Sequence, residues 1–240
     1  MLLAAASVVF LAVPGTARAE FLLGIYGGVS GTFDSDVDLE APGGTDLTLE
    51  DVPFDGESFD NPIYYGVRGT YWLEGMPSYG VMLDFTHAKA IADTGETVDV
   101  SGTRGGVAVG PEEPVAATFD DLQFSHGLNT LTLNGLYRHP LSWITPYAGV
   151  GVGVSVPHVE IDLVGGSSTD EYQFGGLAAQ ALAGMEFSLG DRFALFAEYK
   201  FSYTPLDIDL DGGGSLETDL FTNQAMFGLS VRFGGGAPGN

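Results

Sequence analysis

The stretch "RFALFAEYKFSY", Arg192 to Tyr203, decides the fold class. Phe193, Leu195, Ala197, Tyr199, Phe201 and Tyr203 form one alternating set, and Arg192, Glu198, Lys200 and Ser202 share the other with Ala194 and Phe196. Period two places these sets on opposite faces of a β-strand. A soluble barrel turns its apolar set inward. Here the second set carries charges of both signs, which suits a polar lumen filled by side chains with lipid outside.

Other stretches repeat the pattern. In "IYYGVRGTYWLE", Ile63, Tyr65, Val67, Tyr71 and Leu73 oppose Arg68, Thr70 and Glu74. Near the C-terminus, Phe227, Leu229, Val231 and Phe233 oppose Gln224, Ser230 and Arg232. Eight strands are expected, at 21–33, 62–74, 79–91, 122–140, 145–161, 173–189, 192–208 and 219–233. Short turns at Gly75–Ser78, Leu141–Ile144 and Gly190–Asp191 alternate with long connections at 34–61, 92–121, 162–172 and 209–218. The expected fold is all-β: an eight-stranded antiparallel transmembrane β-barrel of outer-membrane type over 20–233, with a filled polar lumen.

Charge is sorted the same way. The net charge is −24, with eight basic residues, which argues against nucleic-acid partners. Arg68, Arg138, Arg192, Lys200 and Arg232 fall on the inferred lumen face, where Glu74, Asp84, Glu186 and Glu198 can pair with them. A barrel of eight strands is just wide enough for such side chains to fill. The long connections hold most of the acids and, of the basic residues, only Arg104. Such carboxylates suit a surface beside lipopolysaccharide phosphates, bridged by Mg²⁺ or Ca²⁺.

The chain has no cysteine, hence no disulfide framework. "MLLAAASVVFLAVPGTARAE" reads as a secretory signal over 1–19, with Ala17-Arg18-Ala19 as cleavage site. Its apolar run is too short to span a bilayer as a helix. Residues 234–240, "GGGAPGN", read as a flexible tail after the terminal aromatic Phe233. The expected location is the outer membrane, as a monomer, with periplasmic termini and extracellular acidic loops.

Few motifs carry chemistry. "DLDGGGSLETD" from Asp207 begins like a calcium loop, but its twelfth position is Thr218 and strands flank it. The glycines of "GVGVGV" precede no helix and are no dinucleotide fingerprint. The histidines are more informative. In "TPYAGVGVGVSVPHVEID", Thr145 to Asp162, His158 and Glu160 follow Val150, Val152, Val154 and Val156 on the lipid face. Gly149, Gly151, Gly153 and Ser155 face the lumen, leaving room for Arg138 and Lys200. His87 and Lys89 have lipid-face parity in their strand, as does Asn129 in its own. His126 has lumen parity unless Gly127 makes a bulge, and Pro157 can shift the register below His158. His87, Asn129, His158 and Glu160 can therefore form one outward cluster where the strands leave the hydrocarbon. Interfacial girdle residues touching headgroups are the plainer reading of the same positions.

"LDFTHAKA", "SHGLNTLTLNGLYR", "PYAGVGVGVSVPHVE", "EYQFGG", "FAEYKFSY" and "GGGSLETDLFTN" together resemble the lipid A oxidase family of outer-membrane barrels, over roughly 21–233. The resemblance implies oxidation of the proximal glucosamine of lipid A to an aminogluconate unit, with molecular oxygen as oxidant. It brings no residue roles with it. "FSHGLN", Phe124 to Asn129, is similar to the F-x-H-x-S-N signature of the lipid A deacylases, also eight-stranded barrels. Leu128 stands at the nucleophile position, so His126 has no hydroxyl there to activate.

The candidate catalytic residues are therefore His87, His158, Glu160, Asn129 and His126. His87, His158 and Glu160 are the candidate ligands of a divalent metal, a set that suits Fe(II). Lys89, Tyr172 and Asn223 are the substrate-binding candidates. The alternative is a barrel without enzymatic activity, serving as anchor, adhesin or surface-interaction protein, with its histidines scattered around the rim.

Overall fold

The computed structural model describes residues 19–234. Eight strands close on themselves: β1 (Glu20–Thr32), β2 (Tyr65–Leu73), β3 (Met76–Ala88), β4 (Leu128–Arg138), β5 (Ile144–Leu163), β6 (Gly176–Leu189), β7 (Phe193–Asp209) and β8 (Ser215–Phe233). Each pairs antiparallel with its sequence neighbour, and β1 pairs with β8 to complete the ring. Closure satisfies the backbone donors and acceptors of every strand, which hydrocarbon demands. The signal segment, except Ala19, and the tail, except Gly234, lie outside the described residues.

The outer wall is apolar. Ile25, Leu133, Val150, Val152, Leu177 and Phe227 are each exposed by 60% or more. No soluble core explains so many large apolar side chains on one continuous surface, and lipid does.

The lumen is filled in layers. At the short-turn end Glu20 pairs with Arg138 at 2.7 Å and with Arg232, which also reaches Glu186 at 2.7 Å. Leu22, Trp72, Met82, Leu136 and Leu182 form an apolar belt next to it. Beyond the belt Arg68 grips Glu198 with two hydrogen bonds of 2.7 and 2.8 Å, while its Nε lies 3.3 Å from Asp84. Lys200, fully buried, donates to Asp84 at 2.6 Å and to Thr86 at 2.9 Å, and Tyr26 donates to Asp84 at 3.0 Å. The cavity between belt and central network measures about 20 Å³, room for one water.

Two residues expected in the lumen are not there. Glu74 is exposed because the chain turns at Gly75, φ +80°, directly after β2. Arg192 is exposed at the tip between β6 and β7, where its carbonyl accepts from the Arg232 amide. Glu20 takes the place of a missing lumen acid. The glycines of β5 face inward, yet they make room for other neighbours than Arg138 and Lys200. A Cβ on Gly151 would lie 2.0 Å from Asn134 Oδ1, and one on Gly149 would lie 2.4 Å from Leu136. Asn134 thereby reaches Gln180 at 2.8 Å.

The long connections are not open loops. Residues 35–41, 45–52 and 97–104 are strands that continue the wall from β8 outward. Phe119–Gln123 and Ser168–Tyr172 pair with the far half of β5. Inside this extension Val37, Leu39, Leu47, Leu49, Val100, Leu122, Ile161, Ile208, Leu216 and Leu220 form one buried core. Polarity therefore reverses along a single strand. In β7 the inward residues pass from Glu198, Lys200 and Ser202 to Leu206 and Ile208, while the outward ones pass from Tyr199 and Tyr203 to Asp207 and Asp209. The reversal marks where the wall leaves lipid for water. The segment after Asp207 is the β7–β8 hairpin tip, with Gly213 and Gly214 at positive φ.

Asp84→Ala strips Lys200 and Arg68 of their shared carboxylate. Removing one partner of a buried ion pair costs about 3–5 kcal/mol. The urea midpoint of the barrel in detergent micelles should fall accordingly, whereas Glu74→Ala should leave it unchanged.

Candidate functional site

β5 runs unbroken from Ile144 to Leu163, so Pro157 preserves the alternation and His158 and Glu160 stay on the face of Val150 to Val156. The strand expected over 122–140 is interrupted. Residues 124–127 leave the ladder, with Gly127 at φ +133°, and β4 begins at Leu128. The interruption turns His126 outward, with its side chain 60% exposed. The Gly127 carbonyl accepts from the His158 amide at 2.9 Å, which ties the interruption to β5.

Four side chains meet there. His126 Nδ1 donates to Glu160 Oε1 at 2.5 Å, His158 Nδ1 lies 3.3 Å from the same oxygen, and Ser125 Oγ donates to it at 2.9 Å. The two imidazole centroids are 5.1 Å apart. Tyr172, opposite His158 on the neighbouring strand, packs its ring edge-on against it at 4.5 Å and donates to the His126 carbonyl at 3.4 Å. Asp170 lies 3.5 Å from His158 Nε2. His126, His158 and Glu160 each offer a ligand atom within 4.8 Å of the others.

The other candidates fall in different places. His87 stands across from Asn129 and its Nδ1 donates to Asn129 Oδ1 at 2.9 Å, with the Tyr65 ring stacked at 4.9 Å. His87 is not part of the three-residue group; His126 takes that place, because the interruption at Gly127 brings it to the outside. Lys89 is buried, donating to the Asp60 carbonyl at 3.2 Å and lying 3.6 Å from Glu57, so it braces a loop instead of facing a phosphate. Asn223 sits on β8, three strands round the ring from β5, and accepts from Tyr199. Ser125 and Asp170 were not singled out in the sequence. Their neighbours in the chain, His126 and the "EY" of "EYQFGG", were the available signal.

Serine hydrolysis does not fit this geometry. A relay needs one imidazole nitrogen toward the hydroxyl and the other toward the acid. Ser125 instead donates to Glu160 itself, and the Nδ1 it approaches at 3.4 Å is the one already bonded to Glu160. Two imidazoles and a carboxylate can hold a divalent ion, which would displace the two Nδ1 protons.

No family model and no curated protein matches the chain. Solved structures do. The outer membrane protein OprG from Pseudomonas aeruginosa is 15% identical with a TM-score of 0.49, covering 92% of this chain and 99% of its own. Neisserial surface protein A is 11% identical with a TM-score of 0.45, covering 90% and 99%. The outer membrane protease OmpT from Escherichia coli is 10% identical with a TM-score of 0.39, covering 92% and 99%. These identities and scores are too low for any activity to pass to this chain. Its own closed ring, lipid-facing wall and filled lumen make it a transmembrane β-barrel of outer-membrane type.

Burial pushes the Glu160 carboxyl up, but hydrogen bonds from His126, Ser125 and His158 outweigh it and hold it below the ordinary glutamate value. Its contribution is complete above the ordinary glutamate range and is lost only as pH falls through its own lower pKa. Carbon NMR of the Glu160 carboxyl should show this low midpoint, and His126→Ala should raise it.

Proposed function

We propose that this barrel resides in the bacterial outer membrane, termini periplasmic and acidic extension extracellular, and that it modifies lipid A on its outer wall. One observation carries the reading: His126, His158 and Glu160 converge outside the barrel where the lipid face ends. Polar groups placed at that height meet sugars and phosphates, not acyl chains. Oxidation of the proximal glucosamine is the reaction the family resemblance implies. Two imidazoles and a carboxylate are a donor set for Fe(II), which when bound would supply oxygen chemistry. The protein's own part is to hold the site. Ser125 and the Gly127 carbonyl fix Glu160 and His158, and Tyr172 closes one side of the imidazole pair.

The competing reading is a barrel without enzymatic activity that presents the extension as a surface. A cleft of about 660 Å³ favours it, walled by Asp36, Asp38, Asp51, Asp207, Glu217 and Asp219 with no basic residue. Beside anionic lipopolysaccharide such a cleft requires bridging divalent cations.

Expression in a bacterium lacking the chain, followed by mass spectrometry of lipid A grown with and without oxygen, separates the readings. The oxidase reading expects a gain of one oxygen atom in air only, lost in His158→Ala and Glu160→Gln. Unchanged lipid A, with cell-surface binding that fails on chelation of divalent ions, would establish the second.

A further inference from the structure

Among the described residues, seven buried side-chain polar atoms lack a hydrogen bond. Five belong to ion pairs, on Glu20, Arg68, Glu113, Arg138 and Arg232. The remaining two are Ser155 Oγ and His87 Nε2. A serine hydroxyl can rotate toward a neighbour, whereas an imidazole nitrogen is fixed by its ring.

The tautomer of His87 follows from its surroundings. Asn129 Nδ2 donates to the Gly127 carbonyl at 3.3 Å, which turns Asn129 Oδ1 toward His87 Nδ1 at 2.9 Å. An amide oxygen accepts only, so in the neutral ring Nδ1 carries the proton and Nε2 presents a bare lone pair. Gly127 makes the arrangement possible. A Cβ there would lie 2.5 and 2.7 Å from the Asn129 amide atoms and 2.7 Å from His87 Nδ1. A buried acceptor left empty is costly, and native structures keep only a few.

We propose that His87 Nε2 accepts a hydrogen bond from a hydroxyl of the lipid headgroup, with Asn129 and Gly127 as positioning residues that set its tautomer. The proposal rests on the reading that this wall handles lipid A. The Tyr65 ring stacks on the imidazole and is itself 40% exposed on the lipid face, so the His87 ring lies one side chain's depth from a lipid standing alongside. The same Gly127 carbonyl that anchors Asn129 also binds the His158 amide. A sugar held at His87 is therefore registered against the His126, His158 and Glu160 group by one backbone atom.

Nitrogen NMR of the full chain, isotopically labelled at histidine, tests this in two kinds of vesicle. One is phosphatidylcholine, whose headgroup has no hydrogen-bond donor, and the other is phosphatidylcholine with lipid A. In phosphatidylcholine His87 should be protonated at Nδ1 with a bare Nε2. Lipid A should shift the Nε2 signal upfield into the hydrogen-bonded range. Asn129→Leu should move the proton to Nε2 and abolish the response. A proton on Nε2 in the unaltered chain, an Nε2 already hydrogen-bonded in phosphatidylcholine by water, or an Nε2 indifferent to lipid A each overturns the proposal. The tautomer is read without any variant, so poor folding of Asn129→Leu does not blunt the test. Lipid A that binds Nε2 yet leaves cells unoxidised would sink the oxidase reading alone.

Discussion

Hydrocarbon offers no partner to a backbone amide or carbonyl, and this one constraint organises the molecule. Helices are one solution; among the described residues no helix is long and apolar enough to cross a membrane. A sheet must then close, as it does where β1 meets β8 from Phe21–Phe233 to Thr32–Thr222. Closure creates an interior too narrow for bulk water, which side chains must fill. Because the apolar set is spent on the outside, the filling is polar, and buried charges must find each other. Asp84 shows how tightly they do so, meeting Arg68, Lys200 and Tyr26 at once.

The constraint ends where lipid ends. In the extension the same strands face water outside, and the ordinary rule returns: valine and leucine inward, aspartate and glutamate outward. The pattern was present in "SDVDLEA", whose Val37, Leu39 and Ala41 alternate with acids, and in "DLTLE", where Leu47 and Leu49 alternate with Asp46, Thr48 and Glu50. High charge there reads as loop when strand polarity is assumed constant along the chain. Burial of Val37, Leu39, Leu47 and Leu49 shows that the alternation had simply inverted. Its acids thus coat a folded cap, and their repulsion is relieved by facing solvent.

The barrel wall was legible because period two survives in every spanning strand. Glu74 and Arg192 misled because parity continues through a turn while the chain does not. Glu20 was missed for the converse reason: it was read as the residue before the strand, though it shares parity with Leu22 and Tyr26. The site was legible in half. His158 and Glu160 could be placed from one continuous strand. The exchange of His87 for His126 could not, since it depends on how far residues 124–127 depart from the ladder. Glycine marked the place, and a positive φ decided the outcome.

The location of the site follows from the same energetics. A lumen filled by ion pairs and an apolar belt leaves no room for a ligand, so a candidate site on this fold has to lie on the outer wall or the extension. Most of that wall is closed to polar groups, because an uncompensated imidazole or carboxylate in hydrocarbon is expensive. Above the reversal the wall faces water and meets no membrane lipid. The remaining band is narrow, and there β5 carries His158 and Glu160 past its last lipid-facing valine, Val156. The neighbouring strand must break to add a second imidazole, since parity would otherwise turn His126 into the barrel. Gly127 supplies that break and, through its carbonyl, binds the two strands together again.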